Sequence, residues 1–320
     1  MLEIKEELQK AISEIKKKKA KRVLVQLPEG LKGKTIEIVR EIESQTKAQI
    51  FVLVEPCFGA CDIAEEKAKI LGAELIIHFG HTKMLNSKIP IIYLPLKYKI
   101  EGKKSAEVLE KYLKERNLKK IALCSAIQYL NAMNSIAEEL EKKGIKVFVG
   151  KGDERIAEKG QVLGCNFSSV KDVEKNAEAV VFVGDGLFHP LGIAFETEKE
   201  VIAFNPLSRE IKEMKEEKEK FLRKRFGAIA KAKSAESFGI LVSTKKGQNR
   251  IEKAIELKEK IEKKGKKAFI LAFDLLKPEY LLGVEVDAFV NTACPRIAVD
   301  DFSQFNKPVL NEKELKEALK

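Results

Sequence analysis

The stretch Arg22-Val23-Leu24-Val25-Gln26-Leu27-Pro28 is a short, continuous apolar run closed by a proline. Such a run reads as a strand buried on both faces of a parallel sheet. After it come a turn, a helix predicted from about Lys34 to Gln45, and a second strand over Ala48–Val54. The same order recurs twice. Lys120-Ile121-Ala122-Leu123-Cys124 leads into a helix from about Asn131 to Lys143 and a strand over Lys146–Val149. Ser237-Phe238-Gly239-Ile240-Leu241-Val242 leads into a helix from about Asn249 to Lys264 and a strand over Lys267–Phe273. Each copy continues with a third strand (Ala73–Phe79, Ala179–Val183, Val286–Asn291) and a short fourth one (Ile89–Leu94, Glu200–Phe204, Lys307–Leu310). Strands alternating with helices give βαβ units, and a regular internal period means repeats.

The expected fold is therefore α/β, with three similar repeats around a central site in pseudo-threefold fashion. Each is a small, mostly parallel four-stranded sheet flanked by helices. The basic stretch Lys97–Lys104 separates the first two copies, and the charged segment Ser208–Lys233, read as a bridging helix, separates the last two. The divisions are residues 1–100, 101–207 and 208–320. The formal charge of +11 could favour an acidic partner, but the basic residues interleave with glutamates along helices, which is the pattern of a solvated surface. Direct nucleic-acid binding is not expected. No apolar run is long enough for a membrane span. Met1-Leu2-Glu3-Ile4-Lys5-Glu6-Glu7 reads as a charged helix start rather than an export signal, so a cytoplasmic protein is expected.

Five cysteines without an export signal argue for metal or redox use rather than disulfides. Ligand sites in open α/β sheets form beyond the carboxyl ends of strands. Cys61, Cys165 and Cys294 all fall there, one per repeat. An Asp62-x-x-Glu65 capping box would put Cys61 at a helix N-terminus, where a thiolate is favoured. Ser168 and Ser169 could cap a helix after Cys165 in the same way. Gly59 and Gly164 clear space beside the sulfurs. Three thiolates suit a four-iron cluster with one iron open to a small molecule, while zinc is the main inorganic competitor. Cys57 makes a Cys-x-x-x-Cys pair with Cys61 and could be a spare or competing ligand, and Cys124 reads as core. His78, His81 and His189 lie at or just past strand ends and read as site-lining or structural groups.

Several stretches carry a family resemblance: Phe58-Gly59-Ala60-Cys61-Asp62, His78-Phe79-Gly80-His81, Gly160–Cys165, Val183-Gly184-Asp185-Gly186-Leu187-Phe188-His189-Pro190, Ser243-Thr244-Lys245-Lys246-Gly247-Gln248 and Asn291–Asp301. On these the chain resembles, over its whole length, the archaeal enzymes that begin diphthamide biosynthesis, a non-standard radical S-adenosylmethionine family. The resemblance implies a [4Fe–4S] cluster held by Cys61, Cys165 and Cys294. It implies S-adenosyl-L-methionine as co-substrate, and transfer of its 3-amino-3-carboxypropyl group to C2 of a histidine on translation elongation factor 2. It also implies an electron donor and a homodimer. Which C–S bond breaks rests on the resemblance alone.

Co-substrate contacts are expected at Gly164, Asp185, Gly186, Ser243, Lys245, Gln248 and Arg296. Arg296 could pair with a carboxylate. Ser243–Gln248 could offer backbone N–H groups to an anion. Gly184-Asp185-Gly186 could approach a ribose or form a plain turn. No catalytic side chain beyond the cluster ligands is assigned. Two other readings stay open: a quinolinate-synthase-like dehydratase using the open iron as a Lewis acid, and a non-catalytic electron-relay subunit.

Overall fold

A computed structural model describes residues 4–299 and 304–320; the first three residues of the charged start, and residues 300 and 301 of the last motif, lie outside that description. The apolar runs form three sheets. The first holds β1 (Arg22–Gln26), β2 (Gln49–Leu53), β3 (Leu75–Phe79) and β4 (Ile91–Leu94). The second holds β5 (Lys120–Ser125), β6 (Lys146–Phe148), β7 (Ala179–Val183), β8 (Glu200–Phe204) and β9 (Ile211–Glu213). The third holds β10 (Ser237–Ser243), β11 (Lys267–Phe273), β12 (Ala288–Asn291) and β13 (Val309–Leu310).

Their spatial orders are β2-β1-β3-β4, β6-β5-β7-β8-β9 and β11-β10-β12-β13. In every copy the second strand lies on one side of the first, and the third crosses to the other. All pairings are parallel except β8 with β9. The second sheet thus departs from four strands: part of the segment expected to be helical pairs antiparallel to β8 before the helix Lys215–Lys233 begins. The first two sheets belong to one compact unit, Met1–Met214, and the third to another, Lys215–Lys320.

The strand residues explain the layering. Val23 and Val25 of β1 join Ile12 and Ile15 of helix Ile4–Lys18, and Ile38 and Ile42 of helix Thr35–Gln45, in one core. Leu24 and Ile76 point the opposite way, toward Ile63 and Ala68. The second and third sheets likewise have an apolar cluster on each face. Helix Gly102–Glu115 packs closely on helix Leu130–Lys142; a Cβ at Gly102 would meet Ser135 Oγ at 2.2 Å. Many of the basic residues are paired with glutamates one turn away, as at Lys142–Glu139 (2.6 Å) and Lys258–Glu262 (2.8 Å). No helix among the described residues is long and apolar enough to cross a membrane.

At the opposite end from the cysteines the repeats share a clamp that sequence inspection missed. The acid just before each third strand accepts from backbone N–H groups at the start of the first. Glu74 accepts from Lys21 N at 2.5 Å, Glu178 from Lys119 N and Lys120 N at 2.7 and 3.0 Å, and Asp287 from Ser237 N at 2.8 Å. The Lys21 amide holds Glu74 below its ordinary range, the Lys119 and Lys120 amides do so for Glu178, and the Ser237 hydroxyl and Glu236 amide for Asp287. A carboxyl lowered on folding contributes stability above its unfolded-state pKa of about 4, and that contribution is lost as pH falls through the lowered folded value. The triple variant Glu74→Gln, Glu178→Gln, Asp287→Asn is therefore expected to show a shallower loss of melting temperature between neutral and acidic pH. Parallel curves for variant and wild type would refute a role for the clamps.

Candidate functional site

In a 2-1-3-4 sheet the strand order reverses between the first and third strands, and the crevice for ligands opens at their carboxyl ends. The polar residues of otherwise apolar strands collect there. In the first sheet Gln26 and His78 are register partners on β1 and β3, with Gln26 4% and His78 0% exposed. Gln26 Nε2 donates to Asp62 O at 3.0 Å, and Gln26 Oε1 accepts from Ala64 N at 3.0 Å. Gln26 therefore holds the loop immediately after Cys61.

The same Oε1 lies 3.3 Å from His78 Nδ1. Because the two backbone contacts fix the amide with its oxygen toward the ring, Nδ1 is the protonated nitrogen of His78 and Nε2 carries the lone pair. His78 Nε2 lies 3.1 Å from His81 Nδ1 and 4.0 Å from Cys57 Sγ. Burial pushes the His78 imidazole down to about 3, with a further contribution from His81, and burial pushes His81 down to about 4, so both rings are neutral at pH 7. Tyr93 packs against His78 with ring centroids 5.5 Å apart.

Gln26→Leu would strip Ala64 N–H and His78 Nδ1–H of this acceptor in a buried place. At about 1–3 kcal/mol for an unsatisfied buried group, a loss of about 2 kcal/mol is expected. Faster amide exchange over residues 57–64 than in wild type would be the local signature; unchanged exchange would refute the anchoring role.

The second sheet builds its end differently. Ser125 Oγ donates to Val183 O at 2.7 Å across β5 and β7, and Gln161 forms an isolated parallel bridge with Ser125. Cys165 sits in a tight reversal in which Leu163 and Asn166 exchange backbone hydrogen bonds at 3.0 and 3.2 Å. Asn166 Nδ2 donates to Asp153 Oδ1 at 2.7 Å, and Gln161 Nε2 donates to Thr82 Oγ1 at 2.9 Å. Thr82 is the residue after His81, so one hydrogen-bonded network joins the ends of the first two sheets. Gln128 Nε2, donating to Gly80 O at 3.1 Å, and Lys97 Nζ, paired with Glu158 at 2.9 Å, strengthen the same junction. In the third sheet Thr292 Oγ1 donates to Leu241 O at 2.8 Å, and Asn291 Nδ2 donates to Cys294 O at 2.9 Å, fixing the turn that carries Cys294.

Exposure divides the five cysteines. Cys61, Cys165 and Cys294 are half-buried in these loops, while Cys57 and Cys124 are buried. Burial pushes the Cys124 thiol well up, as expected of a core residue.

Three local expectations are corrected. Asp62 and Glu65 form no capping box: the helix starts at Glu65 after Ala64 without a side-chain cap, Asp62 Oδ2 accepts from Phe58 N, and Glu65 Oε1 accepts from Lys88 N. Ser168 and Ser169 do not cap their helix either: Ser168 Oγ accepts from Asp153 N and Ser169 Oγ donates to Gln161 O. His189 lies within helix Phe188–Glu196 and stacks on Phe182, not at a bare strand end.

The remaining candidate residues sit in the loops of the second and third sheets. A Cβ on Gly164 would meet Phe188 Cε1 at 2.2 Å, so the glycine admits that ring. Asp185 Oδ1 accepts from Gly186 N at 2.7 Å and Asn205 Nδ2 at 3.2 Å, with Gly186 at φ 73°, a turn that glycine adopts readily. Beside it Tyr98 and Tyr129 stack at 4.8 Å, and burial followed by the charges of Tyr98 and Asp185 raises Tyr129. Neither tyrosine was singled out from the sequence. Ser243 is buried and its Oγ accepts from Lys245 N at 3.2 Å; Gln248 is buried, and its N–H and that of Asn249 donate to Lys245 O. Within that loop the amides of Lys245 and Gln248 are thus already bonded internally. Lys245 Nζ lies 3.5 Å from Asp274. Arg296 is exposed and opens the short helix Arg296–Val299.

The family model described as "Putative diphthamide synthesis protein" matches residues 27–320. The chain belongs to the diphthamide synthesis protein family. It is 37% identical over 307 residues to the 2-(3-amino-3-carboxypropyl)histidine synthase of Pyrococcus horikoshii, covering 95% of this chain and 87% of that one. The corresponding protein of Methanocaldococcus jannaschii is 32% identical, with coverages of 98% and 89%. A crystal structure of Dph2 from Pyrococcus horikoshii with a 4Fe-4S cluster superposes with a TM-score of 0.91 at 36% identity, covering 100% of this chain and 91% of that one. Membership in the diphthamide synthesis family agrees with the α/β repeats.

Proposed function

We propose that this chain is a 2-(3-amino-3-carboxypropyl)histidine synthase that uses S-adenosyl-L-methionine and a [4Fe–4S] cluster held by Cys61, Cys165 and Cys294. The observation that carries the reading is the half-buried cysteine in each sheet's carboxyl-end loop, in a chain similar throughout to a Dph2 crystallised with a 4Fe-4S cluster. The donor set suits the group. The thiolates of Cys61, Cys165 and Cys294 would hold three irons and leave the fourth open to the amino and carboxylate groups of the co-substrate. When bound and reduced, the cluster supplies one electron to the sulfonium. The chain's own part is positioning. Gln26 and the Leu163–Asn166 reversal hold Cys61 and Cys165, and Asn291 holds Cys294. Gly164, Asp185, Gly186, Ser243, Lys245, Gln248 and Arg296 border the co-substrate in this reading, with Arg296 pairing with its carboxylate.

The acceptor is C2 of a histidine imidazole on translation elongation factor 2, the assembly is a homodimer, and a separate electron donor serves it in the cytoplasm. The test is anaerobic incubation with S-adenosylmethionine and the factor. Methylthioadenosine release and a mass gain on the factor, both only after reduction, are expected. Turnover indifferent to reduction would favour Lewis-acid chemistry and overturn the proposal.

A further inference from the structure

We infer that Cys57, His78 and His81 form a second metal site, with ligands other than the three half-buried cysteines, that takes a zinc-class divalent cation. The donor atoms lie within 4.8 Å of one another. Cys57 Sγ is 4.0 Å from His78 Nε2, which is 3.1 Å from His81 Nδ1. A tetrahedral zinc ion, with bonds of about 2.3 Å to sulfur and about 2.0 Å to nitrogen, spaces its donors about 3.3–3.6 Å apart. The donors therefore need to move by only on the order of 1 Å.

The surroundings are those of a ligand histidine. A metal-bound imidazole commonly donates its second nitrogen to a fixed oxygen, which sets its tautomer. Gln26 Oε1 is that oxygen for His78, and Gln26 is itself locked by Asp62 O and Ala64 N. The His78 lone pair consequently faces Cys57 and His81. A hydrogen bond between the two rings accounts for their 3.1 Å separation, and Cys57 Sγ also lies 4.0 Å from Gly59 O; neither contact requires the sulfur and both rings to converge on one point. His78 and Cys57 are buried and His81 is half-buried, so a cation there has three protein ligands and a fourth position reached past His81. One thiolate and two imidazoles suit zinc better than an oxygen-seeking cation. The ion would fasten the loop around Cys57 to the end of β3, and so steady Cys61 four residues later. The site does not depend on the proposed transfer reaction.

The test uses the anaerobically purified, cluster-bearing chain, incubated with zinc sulfate and desalted, with zinc and iron counted per chain. One zinc per chain with iron unchanged is expected, together with zinc-edge X-ray absorption showing one sulfur and two imidazole nitrogens. Cys57→Ser and His81→Gln are each expected to lose the zinc while keeping the iron, which also reports that they fold. Failure to retain zinc, retention by both variants, loss of iron as zinc enters, or a zinc shell of several sulfurs would each overturn the inference.

Discussion

Alanine at Cys61, Cys165 or Cys294 is expected to remove most of the cluster iron and all measurable transfer, one substitution at a time. A cluster bound by three thiolates has no protein ligand to spare, and Cys-to-Ala deletes the donor while leaving the backbone free to keep its fold. The loops argue for local effects. Cys165 sits in a two-residue reversal closed by its own backbone bonds, and the turn of Cys294 is fixed by Asn291, so neither depends on the sulfur for its shape. Cys124→Ala is the contrasting case. That side chain is buried on β5 among Ala122, Val180 and Phe182, and its loss should cost about 1 kcal/mol of packing with iron and transfer intact. Iron analysis, the cluster's absorption and the mass of elongation factor 2 distinguish the two classes. Full iron in any of the three single variants would remove that residue from the ligand set.

Removing the cluster should also lower the melting temperature of the wild-type chain. Cys61, Cys165 and Cys294 are widely spaced in sequence, and tying them to one group restricts the unfolded chain while adding ligand bonds to the folded one. An unchanged melting temperature after iron removal would mean that cluster and fold are uncoupled.

The repeats were readable because each first strand is a continuous apolar run, and only a strand covered on both faces needs one. β9 was not: Ile211-Lys212-Glu213 is a short, charged edge strand, and its pairing with β8 leaves no periodic trace. The capping box failed for a related reason. Asp62 and Glu65 have the right spacing, but Phe58 N and Lys88 N compete for the same oxygens, and Lys88 is too distant in sequence to be weighed. The acids at 74, 178 and 287 look like ordinary surface carboxylates until the strand starts they clamp are brought beside them. Gln26 did carry a signal. A glutamine inside Val23-Leu24-Val25-Gln26-Leu27 is costly to bury unless bonded, and His78 breaks the run on β3 at the matching register. Taken together, the two interruptions mark the crevice.

Glu314→Ala is expected to destabilise Lys215–Lys320 strongly. The helix Lys215–Lys233 is charged along most of its length, as its sequence suggests, yet Arg225 is only 3% exposed. Its Nε donates to Glu314 Oε1 at 2.7 Å and its Nη2 to Val309 O at 2.7 Å, so the guanidinium joins the helix to β13 and to helix Glu312–Ala318. Glu314 has a second task. Its Oε2 accepts from Asn311 N at 2.8 Å while Asn311 Oδ1 accepts from Glu314 N at 3.0 Å, a reciprocal cap on that helix. Alanine leaves a buried cation facing a missing carboxylate and breaks half the cap. Losing one partner of a buried pair costs about 3–5 kcal/mol, and a lost cap about 1 kcal/mol. Replacing both charges together, as Arg225→Met with Glu314→Leu, should recover much of the first loss, because no charge is then left in the interior. Urea unfolding of wild type, Arg225→Met, Glu314→Leu and the double variant gives the coupling directly. A Glu314→Ala cost below about 1 kcal/mol would show that water reaches Arg225 and that the pair contributes no more than a surface one.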